Sequence, residues 1–563
     1  MRRPGSRASK AATSSPQRST TPVFGMGDSA PCCVRLSTRL SAHKLIQFRL
    51  PFKGETVSDA STAEALRAEV QRVVVEAPAG TGKTYQAASY ARDATAGLRK
   101  GQRVLILAHT HSACDVFSSR TADLGGRLRI GTIDSLVATI AKIYHRAIDL
   151  PSDIHAWSIN RGPDCYAELA QKVRLLLVRS PSVAGAVAER HPIVICDEHQ
   201  DASSDQHDIV ETLAQAGAQV RFFGDPMQAI FNTGREREAR ELQWRELLAT
   251  ANAFERLDTA HRWATGSPAL GAWVLEQREH LRTGGRVDLR HGLPHGLRLL
   301  RADNRSPRFG GFQVTPAERR PIDTLVRNSP NLLVLTAHNQ MVFGLNAFWG
   351  ARIPIWEGYT RSALGDLLAA CRIRTGDPVA LGRSVCTFLE AVGKGFSATA
   401  FGNRLIQELE TNCAKPSRGK PAEIQSVAQL ILQRPNHIGV GEAIDRVHHL
   451  MNDSENFRDT RVHLRKEFAE ARRIQAHPEI STVLAGLSHQ RGRRNDQVPS
   501  QAISTIHKSK GLECDRAILI PCDANSLAAN QKNRCLLYVA LSRSCEKLTL
   551  VVPEANPSPL LQL

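Results

Sequence analysis

The segment Ala77-Pro78-Ala79-Gly80-Thr81-Gly82-Lys83-Thr84 has the residue types and spacing to surround a polyphosphate. Gly80 and Gly82 let the backbone turn tightly enough for its N–H groups to converge on an anion. The residues that follow suit a helix, whose N-terminal end adds further donors. In that setting the Lys83 ammonium reaches the β- and γ-phosphates and the Thr84 hydroxyl holds Mg²⁺. Ala77 stands where the general pattern has its first glycine. A second cluster, Ile193-Val194-Ile195-Cys196-Asp197-Glu198-His199-Gln200-Asp201, ends an apolar run in two adjacent carboxylates. Side chains alternate along a strand, so Asp197 is expected to face the metal and Glu198 the attacking water, as ligand and general base respectively. A third cluster, Gly224-Asp225-Pro226-Met227-Gln228, follows another apolar run and offers Gln228 as a γ-phosphate sensor.

These groups meet only if the strands before them end side by side. Apolar runs at 73–77, 104–108, 193–197 and 220–223, separated by helical patterns, predict a parallel sheet whose carboxyl-end crevice binds the ligand. A second set, near 332–336, 503–506, 517–521 and 548–552, predicts a second sheet. At 563 residues the chain is too long for one core, and 42% hydrophobic residues can fill several.

Taken in order, the motifs resemble those of superfamily 1 helicases of the UvrD/Rep/PcrA type, over roughly residues 70 to 553. APAGTGKT resembles motif I, HTHSACDVF (109–117) motif Ia, GTIDSL (131–136) motif Ib, DEHQD (197–201) motif II and GDPMQAIF (224–231) motif III. His261-Arg262 takes the place of the Tyr-Arg of motif IV. LLVLTAHNQ (332–340) and RIPIWEGYTR (352–361) resemble the opening of the second motor lobe. TIHKSKGLE (505–513) is similar to motif V and YVALSRSCEKLTLVV (538–552) to motif VI.

The resemblance implies an α/β chain with two RecA-like P-loop NTPase lobes, each built on a parallel sheet and carrying a reduced, mainly helical insertion. Residues 56–260 would form the first lobe, with a small insertion at about 140–190. Residues 261–374 and 499–563 would form the second lobe, and 375–498 its helical insertion, which includes the basic run His489-Gln490-Arg491-Gly492-Arg493-Arg494. It further implies ATP and Mg²⁺ as cofactors, with Arg262 and Arg543 approaching the γ-phosphate and Glu513 binding the ribose. Candidate contacts to single-stranded DNA or a tailed duplex are His109, Thr110, Ser112, Thr132, Ser135, Phe231, Thr505, His507 and Lys510. The chain departs from the family where His261 replaces the adenine-stacking Tyr, where His109 replaces an aromatic, and where Thr233 stands at an expected Trp, with Trp244 and Trp263 nearby. Near Thr62, where the family has an adenine-reading Gln, none is found, and Gln71 is too close to Lys83 to serve.

A formal charge of +18 and a pI near 9.7 point to a polyanionic partner. Residues 1–27 contain Arg2, Arg3, Arg7, Lys10 and Arg18 and no acid, and residues 1–55 are expected to be a disordered basic extension. That stretch reads either as a tail preceding a start at Met26 or as an organellar transit segment. No apolar run reaches the ~18 residues of a membrane span, and the twelve cysteines lack zinc spacing, so a reduced, bacterial cytoplasmic setting is expected.

Two functions fit these residues. One is an ATP-driven DNA helicase or translocase moving 3′ to 5′ in repair or recombination. The other is a nucleic-acid-stimulated regulatory ATPase subunit partnered with a nuclease, as in Gabija-like antiphage complexes.

Overall fold

The computed structural model describes residues 57–161, 165–232, 234–308, 310–357, 362–480, 483 and 499–563. The basic extension and the basic run at 489–494 lie outside them, as does Thr233.

The first sheet contains β1 (Arg72–Glu76), β2 (Val104–Ala108), β3 (Leu128–Thr132), β4 (Ile193–Cys196), β5 (Gln219–Gly224) and β6 (Ala253–Arg256), in the order β3-β2-β4-β5-β1-β6. All its pairings are parallel. Its central strands are β-branched and leucine-rich because both faces are covered. Val73 and Val75 enter the core on one face with Val104 and Ile106, while Val74 joins Leu105, Leu107 and Val194 on the other. The strands β3 and β6 carry no uniform apolar run, since each lies at an edge and buries only part of its length. The helices within 140–190 do not build a core of their own. Ile148, Leu150, Leu169, Val173 and Leu177 pack into the same cluster as β2 and β4.

Further along the chain come β7 (Val287–Asp288), β8 (Leu297–Arg301), β9 (Leu332–Thr336), β10 (Gly393–Lys394), β11 (Arg461–Val462), β12 (Gln501–Thr505), β13 (Cys514–Leu519), β14 (Ser544–Val552) and β15 (Leu561–Gln562). The second large sheet has the order β12-β9-β13-β14-β8, again parallel throughout. Between β9 and β12 a helical unit closes on its own core, with Val385, Phe388, Leu389, Val427, Ile431 and Ile444 at its centre. The helix Ser362–Ile373 belongs to that core through Leu364, Leu367, Leu368 and Cys371. The sequence reading assigned it to the second lobe, because its leucines fit a sheet-covering helix equally well.

One apolar cluster joins the two sheets. Ala79, Met227 and Ile230, all at the carboxyl ends of first-sheet strands, pack with Trp263, Leu537 and Tyr538. Beside it runs a buried ionic network on Arg278, which is 1% exposed and donates to Asp225 Oδ1 at 2.6 Å and Glu76 Oε1 at 2.7 Å. Removing one member of such a network strands the rest without a partner, at a cost of about 3–5 kcal/mol. Arg278→Ala should therefore lower the thermal unfolding midpoint clearly, and an unchanged midpoint would show that Asp225 and Glu76 find other partners.

Candidate active site

The backbone leaves β1 through Ala77, whose N–H donates to Gly224 O at 2.9 Å, and turns through Pro78, Ala79, Gly80, Thr81 and Gly82. Gly80 and Gly82 have φ of 76° and 85°, the left-handed region that glycine occupies without penalty. At Gly80 a Cβ would also lie 2.7 Å from both Arg262 Cβ and the Trp263 ring. The Thr81 hydroxyl donates to Pro78 O at 2.8 Å, locking the turn. Lys83 opens the helix Lys83–Ala94, and no side chain caps its first N–H groups, which leaves them directed at the loop as anion donors. Thr84 lies half-buried in the first turn.

Asp197 and Glu198 do not face opposite ways as strand alternation predicted. Glu198 has φ 52° and ψ 38°, so the chain has already left the strand and both carboxylates swing to the same ammonium. Asp197 Oδ1 lies 3.1 Å from Lys83 Nζ, and Glu198 Oε1 contacts the same Nζ. Burial opposes charge on Glu198, but Lys83 and Lys510 outweigh it and hold the carboxyl well below its usual range. Asp197 moves the other way, raised by burial and by the Glu198 charge against the pull of Lys83. Burial likewise disfavours the Lys83 ammonium, yet Asp197 and Glu198 keep it protonated. A left-handed non-glycine at such a position stores backbone strain of the kind found at reactive sites.

The residues present suit Mg²⁺. Among the described residues no three metal-ligating side chains cluster, and Mg²⁺ in nucleotide sites uses one or two protein oxygens together with substrate phosphates. Thr84, half-buried in the first turn of the helix, and Asp197, 3.1 Å from Lys83 Nζ, are the oxygen-bearing residues that would hold it.

Gln228 is buried and donates to Asp225 Oδ2 at 2.9 Å. The sequence reading missed Gln200, which ties the Asp225–Gln228 segment to the acid pair. Its Nε2 donates to Glu198 Oε2 at 2.5 Å and its Oε1 accepts from Asp225 N at 3.0 Å. Its place inside DEHQD was the available signal.

Residues beyond the first sheet reach the loop in unequal ways. Arg262 N donates to Gly80 O at 3.0 Å, while its side chain donates to Glu513 Oε2 at 2.8 Å and Ser542 O at 2.6 Å. Glu513 is thus paired with Arg262 at the edge of the loop. Arg543 is 2% exposed and donates to Val539 O, Leu512 O and the Ser542 hydroxyl at 2.7–3.0 Å, with no carboxylate partner among the described residues. Burial and the neighbouring Arg262 charge bring its pKa down to about 10. Its guanidinium is held by the backbone of its own segment and faces Tyr538, whose hydroxyl meets the phosphate loop at Ala79 N. His261 Nε2 lies 2.8 Å from Asp59 Oδ2, with its ring beneath Gly82. Thr62 is fully buried, so it offers no edge to a base, and Gln71 Nε2 is spent on Ala214 O at 2.5 Å.

The expected DNA contacts divide by their present partners. Thr110 and Thr132 cap the helices His111–Arg120 and Ile133–Ile143, accepting from Ala113 N and Ser135 N at 3.2 and 3.1 Å. Ser112 lies in the first turn of the former, and the Ser135 hydroxyl donates to Thr132 O at 2.6 Å. Thr505 is buried and accepts from Lys508 N at 3.2 Å. His109 borders a cavity of about 10 Å³, room for one water, that Asp197, Glu198 and His199 also line. Phe231 is 51% exposed, with the His507 ring 6.3 Å and the Lys510 ammonium 5.2 Å from its centre. Trp244 and Trp263 are core. Lys510 does not stand free for a phosphate: it pairs with Asp201, donates to Gln228 O at 2.8 Å and lies 3.6 Å from Glu198 Oε2.

Three imidazoles in this first unit are held neutral, a pattern the sequence reading did not find. His191 Nδ1 donates to Arg103 O at 3.1 Å while its Nε2 has no partner among the described residues, and burial lowers its pKa to about 4. His199 and His207 bond to each other at 3.0 Å, and burial lowers both. In the unfolded chain these rings protonate near their ordinary value of about 6.5, so acid draws the equilibrium toward unfolding. Their contribution is complete above that pH and is lost as pH falls toward 4. The melting midpoint should drop steadily over that window; a flat midpoint would mean that the rings take up protons without unfolding.

The fold and loop define a P-loop nucleotide-binding protein built on two parallel sheets. Residues 59–283 match the family described as AAA domain, and residues 501–551 match the UvrD-like helicase C-terminal domain. No curated protein matches the chain. Its motif order and these two matches, each over part of the chain, support a likeness to UvrD/Rep/PcrA-type superfamily 1 helicases, a family that acts on nucleic acid. Among the described residues no helix is long and apolar enough to cross a membrane.

Proposed function

We propose that the protein is an ATP-driven motor that moves 3′ to 5′ on single-stranded DNA and acts in repair or recombination. The observation that carries this reading is the meeting of Lys83, Asp197 and Glu198 with Lys510, a residue of the motif V segment, in one half-buried cluster. A nucleotide triphosphate competes for Lys83, because its phosphates offer the ammonium more charge than the two carboxylates do. With Lys83 turned to phosphate, Asp197 is freed of its ion pair, and Asp197 and Thr84 would hold Mg²⁺, which would supply charge neutralisation to the phosphates. Glu198, kept ionised by its surroundings, is then the group able to take a proton from water. Lys510 reports on the DNA side, since it also sits over Phe231.

The basic charge acts through DNA phosphates. Affinity for single-stranded DNA should fall several-fold or more between about 50 and 200 mM salt as counterion release loses its drive. A salt-independent affinity would assign the charge to some other role.

The burial of Trp244 and Trp263 favours a second reading as a regulatory ATPase beside a nuclease, because it leaves Phe231 as the exposed stacking platform among the aromatics considered. Unwinding of a 3′-tailed duplex by the isolated protein supports the motor. ATPase without unwinding, together with a nuclease that copurifies with the native protein, supports the regulatory subunit. We place either in a reducing, bacterial cytoplasmic compartment, consistent with the free cysteines among the described residues.

A further inference from the structure

The helix Gln531–Leu541 places Tyr538, fully buried, against the phosphate loop. Its hydroxyl accepts a hydrogen bond from Ala79 N–H at 2.8 Å, across 459 positions of sequence. One residue further along the loop, Gly80 O accepts from Arg262 N at 3.0 Å, so the loop's tip is held from outside its own sheet. The face of the Tyr538 ring carries Arg278, whose guanidinium carbon is 6.0 Å from the ring centre. Arg278 in turn grips Glu76, the last residue before the loop, and Asp225, which accepts from Gln228 Nε2. A single side chain therefore touches the phosphate loop directly and the sensor segment through one intermediary. Burial raises the phenol's pKa, so it remains an uncharged hydroxyl beside the loop at working pH.

We propose that Tyr538 is a positioning residue that keeps the phosphate loop in register with the Gln228 sensor, so that movement of its helix is felt by both together. The inference rests on the ATPase reading given above. Packing alone does not account for the hydroxyl: phenylalanine would fill the same space in this apolar cluster, whereas the oxygen meets a loop N–H that would otherwise be buried without an acceptor.

Tyr538→Phe keeps the ring and its contact with Arg278 and removes only the acceptor. In DNA-stimulated ATP hydrolysis it should lower kcat by about five- to tenfold, the size of one buried hydrogen bond, with KM for ATP within about twofold. The melting midpoint should move by no more than a few degrees. Combined with Gln228→Ala, its effect should be less than multiplicative, because both changes break one coupled unit. A kcat within twofold of wild type overturns the inference, as does a parallel loss of kcat, KM and melting temperature, or a combined effect that simply multiplies. Lys83→Ala in the same assay separates the levels. Hydrolysis that survives it overturns the ATPase reading and this inference with it; an inactive Lys83→Ala beside a normal Tyr538→Phe overturns this inference alone.

Discussion

Lys83→Ala should reduce ATP turnover by about 10³-fold or more, because the ammonium is the charge that meets the phosphates where negative charge concentrates. The ammonium is held within a buried acid pair, and the neighbouring cations are engaged elsewhere: Lys510 with Asp201 and Gln228 O, Arg262 with Glu513 and Ser542, and Arg543 with backbone carbonyls. The same substitution removes the cation that Asp197 and Glu198 share and leaves Lys510, 3.6 Å from Glu198 Oε2, facing Glu198. Asp197 is already raised by burial, so it is the carboxyl that takes up a proton and relieves the repulsion. The variant should therefore remain folded, which the melting curve checks, and bind Mg-nucleotide weakly. Near-normal turnover would remove the phosphate-binding assignment.

Glu198→Gln separates catalysis from binding. The amide keeps the size of the side chain and an oxygen able to accept from Gln200, but it cannot take a proton from water. Turnover should fall by about 10²–10⁴-fold while nucleotide affinity stays equal or tightens, since the carboxylate's competition for Lys83 is weakened. Titrating a fluorescent nucleotide alongside the hydrolysis assay distinguishes the cases. Loss of binding together with turnover would make Glu198 a structural partner of Lys83 rather than a base.

Much of this was legible in the residues because it is local. The glycines of the phosphate loop, the doubly buried valines of β1 and the order of the motifs are short-range patterns, and the strands near 73–77, 104–108, 193–197 and 220–223 appear within a residue or two of their expected ends. The strands β3, β6 and β8 were not read, as they lie at sheet edges and arginine, threonine or glutamate interrupts their short apolar runs. Pair geometry was least legible. Nothing in DEHQD announces that the backbone turns left-handed at Glu198, or that Lys510 crosses 309 positions to reach Asp201. Arg543 illustrates the same limit. Its motif marks an arginine at the junction, but the carbonyls of Val539 and Leu512 that enclose it are set by how the helix Gln531–Leu541 ends against the loop before β13. The pairing of His261 with Asp59 likewise joins residues 202 apart, and the exchange of Tyr for His at 261 becomes intelligible only once that acid is seen beneath it.

The most direct test of the account is the steady-state ATPase rate of the purified protein at low salt, measured alone, with single-stranded DNA and with blunt duplex. Single-stranded DNA should raise the rate by about tenfold or more and blunt duplex far less, with the stimulated rate absent in Glu198→Gln. Absence of hydrolysis, or a rate indifferent to single-stranded DNA, would contradict the proposal that this cleft is the engine of a DNA-dependent motor.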